Sequence, residues 1–193
     1  MLGLFVCLTV GFLSCGTAKR SAKRHPRREK VAEKGKTDKK YLEWQKQRVD
    51  ELKPLLPGYF GKEALFASSD TTLSAYIPAE KFFRPNSSTP FSLSAETIEG
   101  VVQLLREQPD LRLCIAGHES NDSNEAYNVL LSGKRANNLL LLLEDKWNSI
   151  YGNRGDEVQK RLSSTGYGSR DLVRFADFHY RALMEFRFEV RRF

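Results

Sequence analysis

Leu111-Arg112-Leu113-Cys114-Ile115-Ala116-Gly117-His118-Glu119-Ser120, followed after a short polar gap by Tyr127-Asn128-Val129-Leu130-Leu131-Ser132-Gly133-Lys134-Arg135-Ala136, decides how the chain folds. Leu111, Leu113 and Ile115 alternate with Arg112 and Cys114, the two-residue period of a strand with one buried face. A strand is predicted over 111–116, a loop over 117–123, and a helix over about 124–147, with Leu130, Leu131, Leu139, Leu140 and Leu143 as candidates for burial. Cys114 reads as a small core residue of the strand.

On the N-terminal side, Pro109-Asp110 breaks a helix predicted over 95–108, with Ser94 as its N-cap and Ile98, Val101, Val102 and Leu105 on one face. Before it, Thr72-Leu73-Ser74-Ala75-Tyr76-Ile77 reads as a strand ended by Pro78. On the C-terminal side, 161–167 reads as a strand running into Gly166 and Gly168. In 184–190, Phe186, Phe188 and Val190 alternate with Glu185, Arg187 and Glu189. The order is β-α-β-α-β-β. It predicts an α+β two-layer sandwich, a small mixed sheet with its helices on one face, over residues 71–193. Residues 41–70 form a lead-in helix and connection. The helix spans Tyr41–Leu56, carries Tyr41, Leu42, Val49 and Leu52 on one face, and is stopped by Pro54 and Pro57.

The N-terminal forty residues have a different composition. Met1–Ala18 carries no charge, and its apolar run from Leu2 to Leu13 is too short to span a bilayer, which takes roughly 20 residues, but suits a signal-peptide core. The run closes on Phe12-Leu13-Ser14-Cys15-Gly16, which resembles a bacterial lipobox. That resemblance implies a signal peptide over 1–14 and lipidation of Cys15. Residues 15–40 then read as a basic, disordered tether with almost nothing apolar to bury. The chain has 193 residues and a formal net charge of +7. Residues 19–40 hold 11 Lys/Arg and three acids, which leaves 20 Lys/Arg against 21 Asp/Glu elsewhere, a globule of net −1. The basicity belongs to the arm and gives no reason to expect nucleic-acid binding by the folded part. The arm itself lacks the stacking aromatics such binding would use.

With Cys7 in the signal and Cys15 lipidated, Cys114 is left alone and the fold needs no disulfide. His25, His118 and His179 show no metal-ligand spacing, so no metal or cofactor is expected. No nucleophile-elbow motif occurs, and no enzyme is expected. Trp44 and Trp147 read as packing anchors.

Ala116-Gly117-His118-Glu119-Ser120 with Asn128-Val129-Leu130-Leu131-Ser132-Gly133-Lys134-Arg135-Ala136 resembles the OmpA-like domain, whose members carry GHTD followed by N-x-x-L-S-x-x-R-A. Arg161-Leu162-Ser163-Ser164-Thr165-Gly166-Tyr167-Gly168 and Arg187-Phe188-Glu189-Val190 resemble that family's two closing strands. The resemblance covers about 71–193. It implies a βαβαββ fold and non-catalytic binding to the peptide stem of peptidoglycan through its diaminopimelate residue. Joined to the lipobox, it implies an outer-membrane lipoprotein, lipid-anchored, with its domain in the periplasm, which ties the membrane to the cell wall.

The ligand residues implied are Asn128, Ser132 and Arg135 on the helix, Glu119, Ser120 and Asp122 in the preceding loop, and Arg187 on the last strand. Asn128 and Arg135 lie seven residues apart, two turns and about 10 Å along one helix face. Arg135 offers a planar fork suited to a carboxylate, and Asn128 both a donor and an acceptor. A diaminopimelate centre carries an ammonium as well, and here the chain departs from the pattern: the family aspartate aligns with Ser120, leaving Glu119 or Asp122 to supply the carboxylate. The first arginine of the family's N-R-R aligns with Phe186 and its asparagine with Glu185. Two readings stay open: a muropeptide site with a shifted carboxylate, or an adaptor module that binds an envelope protein after loss of the original ligand. More ordinary roles stand beside these: Arg135 as a helix-surface residue paired with Glu125 or Asp122, His118 as a satisfied loop histidine, and Gly117 as a residue serving backbone geometry at the strand end.

Overall fold

In the computed structural model, which describes residues 26–61, 64–91, 95–120, 123–152, 158–170 and 182–192, the strand begun at Leu111 runs on to Glu119. The loop expected from Gly117 therefore starts later, because Gly117, His118 and Glu119 keep pairing with Met184, Leu183 and Ala182. The chain divides into two units, Met1–Thr37 and Asp38–Phe193. The strands, and the helices beyond the first, lie in the second.

Five strands form one mixed sheet in the order β1-β2-β5-β3-β4. They are β1 (Leu65–Ser68), β2 (Thr72–Pro78), β3 (Leu111–Glu119), β4 (Leu162–Gly168) and β5 (Ala182–Val190). β5 runs antiparallel between β2 and β3, and β4 pairs parallel with β3. The helices are α1 (Pro26–Leu52), α2 (Leu56–Phe60) after a single 3-10 turn, α3 (Ala95–Glu107) and α4 (Glu125–Tyr151). This is the expected α+β fold with an extra edge strand. β1 pairs with β2 across a short turn in which the Ser69 hydroxyl accepts from the Thr72 N–H. Its own sequence signal is thin, since Leu65–Ser68 is four residues long.

Two local readings change. Pro26–Leu52 is helical, so 26–40 is not the disordered stretch its charge suggested. Its Ala, Glu, Lys and Arg are good helix formers, and a helix once nucleated propagates cheaply through them. The helix stops at Leu52, ahead of Pro54. On its C-terminal part Val49 and Leu52 are buried, but Leu42 is 53% exposed, and the polar Gln45 is buried instead, donating to the Val190 carbonyl. The signal segment, Cys15, the tether as far as residue 25 and the proposed cap Ser94 lie outside the described residues.

The core lies on one face of the sheet. Leu73, Ala75 and Ile77 of β2 sit beside Met184, Phe186 and Phe188 of β5 and Leu111, Leu113 and Ile115 of β3, all buried. Ile98, Val101, Val102 and Leu105 of α3, with Leu139 and Leu143 of α4, close over them. Phe60 of α2 packs its ring tilted at 5.4 Å from Phe186 and edge-on at 5.9 Å from Phe188. Phe186, which stands where the family pattern has an arginine, is thus a core side chain. Cys114 is not: it points to the other face and is partly exposed. Trp44 and Trp147 pack against the core as expected.

α4 lies directly on β3 and β4 because glycines face it. A Cβ on Gly117 would come within 2.2 Å of the Ser132 carbonyl oxygen, and one on Gly166 within 2.3 Å of the Gly133 nitrogen. Gly117 lies inside β3 and serves close helix–sheet approach rather than the geometry of a strand end, and that approach fixes where Ser132 and Arg135 stand.

Candidate functional site

α4 begins at an Asn124 N-cap, whose side chain accepts from the Tyr127 N–H at 3.3 Å. From there the face carrying Asn128, Ser132 and Arg135 turns inward. All three are buried, at 2%, 0% and 3% exposure. The Ser132 hydroxyl donates to the Val129 carbonyl and accepts from the Gly168 N–H, which ties α4 to the end of β4. Asn128 hydrogen-bonds to Glu125, whose carboxyl is held below its ordinary value first by Ser169 and then by Asn128 and Arg170. These are bonds within the domain, so the helix face expected to meet a ligand is occupied with holding α4 on the sheet.

Arg135 is the exception in kind, because its charge is met by another charge. Its Nη1 contacts the Glu119 carboxylate, and both side chains are buried. Its Nε donates to the Ser87 carbonyl at 2.8 Å and its Nη2 to the Arg84 carbonyl at 3.2 Å. The guanidinium carbon also lies 5.2 Å from the Phe83 ring centroid. Burial lowers the Arg135 pKa, and the Glu119 charge partly restores it. One helical turn on, the Asn138 amide donates to the Ser88 carbonyl at 2.7 Å. The segment Arg84–Ser88 is thereby held over the pair by three hydrogen bonds from two α4 side chains, Arg135 and Asn138. Asn86 within it adopts φ +56, a left-handed conformation that asparagine tolerates better than most residues.

Of the sequence-derived residues, Glu119, Ser120, Asn128, Ser132 and Arg135 thus gather where the end of β3 meets α4. Arg135 pairs with Glu119, not with Glu125. Asp122 lies outside the described residues. Arg187 does not join them. It sits opposite Cys114 in the β3–β5 register and so points to the other face of the sheet, because successive residues of a strand alternate in direction.

On that second face Arg187 belongs to a network the sequence did not announce. Glu185 is 1% exposed; its Oε1 accepts from the Ser74 and Tyr76 hydroxyls and from Arg187 Nε, and its Oε2 accepts from Arg187 Nη2. His118 Nε2 lies 3.2 Å from Oε2, and the imidazole stacks on Tyr167 with ring centroids 5.4 Å apart. Burial alone would raise the Glu185 pKa, but the hydrogen bonds from His118, Arg187 and Ser74 outweigh it and hold the carboxyl at about 2. Arg187 is held above its ordinary value by the same carboxylate. His118 is therefore a strand residue bonded on one side only: its Nδ1 is buried without a hydrogen-bond partner. Alternation placed Glu185 on the polar face; nothing in the local sequence distinguishes a buried acid there from an exposed one.

Chemically, the end of β3 presents a carboxylate and a guanidinium in contact, the two charges that a zwitterionic ligand centre complements. Residues 82–177 match the family model for the OmpA family. No curated protein matches the chain. Among solved structures, one described as a MotB-like protein from Desulfovibrio vulgaris superposes with a TM-score of 0.58 at 18% identity, over 79% of this chain and 98% of that one. The periplasmic domain of Helicobacter pylori MotB gives 0.53 at 16% identity, over 67% and 81%. The cell wall anchor of the T6SS from Pseudomonas aeruginosa gives 0.51 at 14% identity, over 76% and 99%. At these identities the likeness is one of fold.

Proposed function

The chain carries an OmpA-family domain at residues 82–177, and we propose that it is a non-catalytic envelope protein, anchored to the outer membrane through lipidated Cys15, whose periplasmic domain binds the peptide stem of peptidoglycan. The observation that carries this reading is the Glu119–Arg135 pair. A diaminopimelate centre brings its own carboxylate and ammonium. Its carboxylate takes the Arg135 fork and its ammonium takes Glu119, so one internal ion pair is exchanged for two and no buried charge is stranded. The shifted carboxylate, one residue before the family position at Ser120, therefore serves the same chemistry. With Arg135 only 3% exposed, binding requires the Arg84–Ser88 segment to lift from its bonds to Arg135 and Asn138.

The test is to incubate the full chain with purified sacculi and sediment them, beside a domain known to pellet. The chain pellets, and a soluble muropeptide with diaminopimelate in its stem releases it, whereas one with lysine at that position, which lacks the second carboxylate, does not. A chain that stays in the supernatant defeats the reading. Palmitate incorporation that persists in Cys15→Ser defeats the anchor.

The burial of the pair favours a second reading, in which Glu119 permanently occupies the fork and the domain is an adaptor for an envelope protein. Failure to pellet, with a pair whose disruption costs stability, supports it.

A further inference from the structure

The polar face of the sheet carries a feature that neither reading uses. Thr72, Glu189 and Arg112 lie side by side across β2, β5 and β3, and Arg187, Cys114 and Ser163 form the next row across β5, β3 and β4. Together with Lys160, just before β4, they line an open groove of about 400 Å³. It lies at the start of β3, on the face and at the strand end opposite to Glu119 and Arg135.

The charges in this groove do not cancel. Arg187 is matched by Glu185, and Glu189 by Arg191 at 2.8 Å. Arg112 spends one N–H on the Lys160 carbonyl at 2.9 Å, which stations its guanidinium beside Lys160. Among the described residues no ion pair joins Arg112 or Lys160 to a carboxylate. Arg112 and Lys160 thus stand as neighbouring cations at the β3–β4 side of the groove. Arg161 lines it too, with its donors spent on the main-chain carbonyls of Leu105, Gln108 and Leu111, and the Thr72 and Ser163 hydroxyls are among its other polar groups. Four strands about 4.8 Å apart give a groove about 14 Å across, the length of roughly four extended residues. That span exceeds a single oxyanion, and an arginine fork beside a lysine complements side-chain carboxylates.

We propose that this groove docks a carboxylate-rich peptide segment of a partner protein, a second attachment surface independent of what occupies the Glu119–Arg135 end. The basic arm at residues 19–40 will attract the same peptide, so the readout has to be blind to the arm. Cys114, partly exposed in the groove, provides it.

The full chain carrying Cys7→Ser and Cys15→Ser keeps Cys114 as its single thiol, and its reaction with a neutral disulfide reagent is timed in detergent at low salt. Hexaglutamate slows the reaction saturably, at least fivefold, and 0.5 M NaCl removes the protection. Hexalysine does not protect. Arg112→Gln with Lys160→Gln raises the hexaglutamate concentration needed by tenfold or more, with the melting temperature as the check on folding. Lys160→Gln alone, at an exposed position, shows the same direction where the double variant is unstable. An unslowed thiol, equal protection in the variants, or equal protection by inorganic phosphate at matched charge overturns the proposal.

Discussion

Replacing Glu185 by glutamine removes the anion that four side chains converge on, and the structure sets the size of the effect. The ordinary carboxyl value of 4.5 falls to about 2 in the folded protein. That difference of roughly 2.5 pH units, at about 1.36 kcal/mol each, corresponds to about 3 kcal/mol of folding stability. The sign follows from the direction. Because the folded value is depressed, the contribution is present in full above about pH 5, where the unfolded carboxyl is also ionised, and is lost as pH falls toward about 2. Urea unfolding of wild type and Glu185→Gln, followed by tryptophan fluorescence from pH 7 to pH 2.5, reads this directly. Other carboxylates with depressed values, such as Glu125, titrate in both proteins and cancel in the difference. The stability advantage of wild type over the variant should therefore shrink by about 2–3 kcal/mol across that range, with a slope below about 1.4 kcal/mol per pH unit. Parallel curves for the two proteins between pH 5 and pH 3 would refute the claim that the network holds the carboxylate ionised.

Glu119→Gln leaves the buried Arg135 charge with only its two carbonyl partners and should cost about 3–5 kcal/mol in chemical unfolding, whereas Glu119→Leu with Arg135→Met should recover much of that loss; equal costs for single and double variants would remove the pair from the account. Gly117→Ala places a methyl against the Ser132 carbonyl, so α4 has to shift and stability should fall by about 1–3 kcal/mol; an unchanged denaturation midpoint would show that the helix does not sit this close. Asn124→Ala, which deletes the N-cap of α4, should cost about 1 kcal/mol in the same assay, with Asn124→Ser close to neutral. Arg48→Ala removes the guanidinium that holds Asp110 at 2.8 Å and Gln108, and protease nicking of α1 should become faster while α4 stays protected.

Much of the fold was legible because periodicity is local. Leu111, Leu113 and Ile115, or Ile98, Val101, Val102 and Leu105, declare strand and helix through side chains that share a face within a dozen residues. The helix Pro26–Leu52 extends further back than periodicity predicts for a related reason: its first half has no apolar face, and helix propensity alone leaves no periodic pattern. β1 is a four-residue edge strand whose definition comes from pairing with β2, not from its own alternation.

The sequence by itself determined the β-α-β-α-β-β order apart from the edge strand β1, most of each core stripe, though Leu42 and Leu130, expected to be buried, are exposed, and the family motif that puts Asn128, Ser132 and Arg135 on one side of a single helix. Only the tertiary structure decided what those residues face. Strand parity sends Arg187 and Glu185 to one side of the sheet and Glu119 to the other, and the glycines under α4 bring the helix close enough for Arg135 to meet Glu119. The physical reason is range. Propensity and alternation act between near neighbours in the chain, but a buried charge finds its partner across the fold, where spacing along the sequence carries no information about distance.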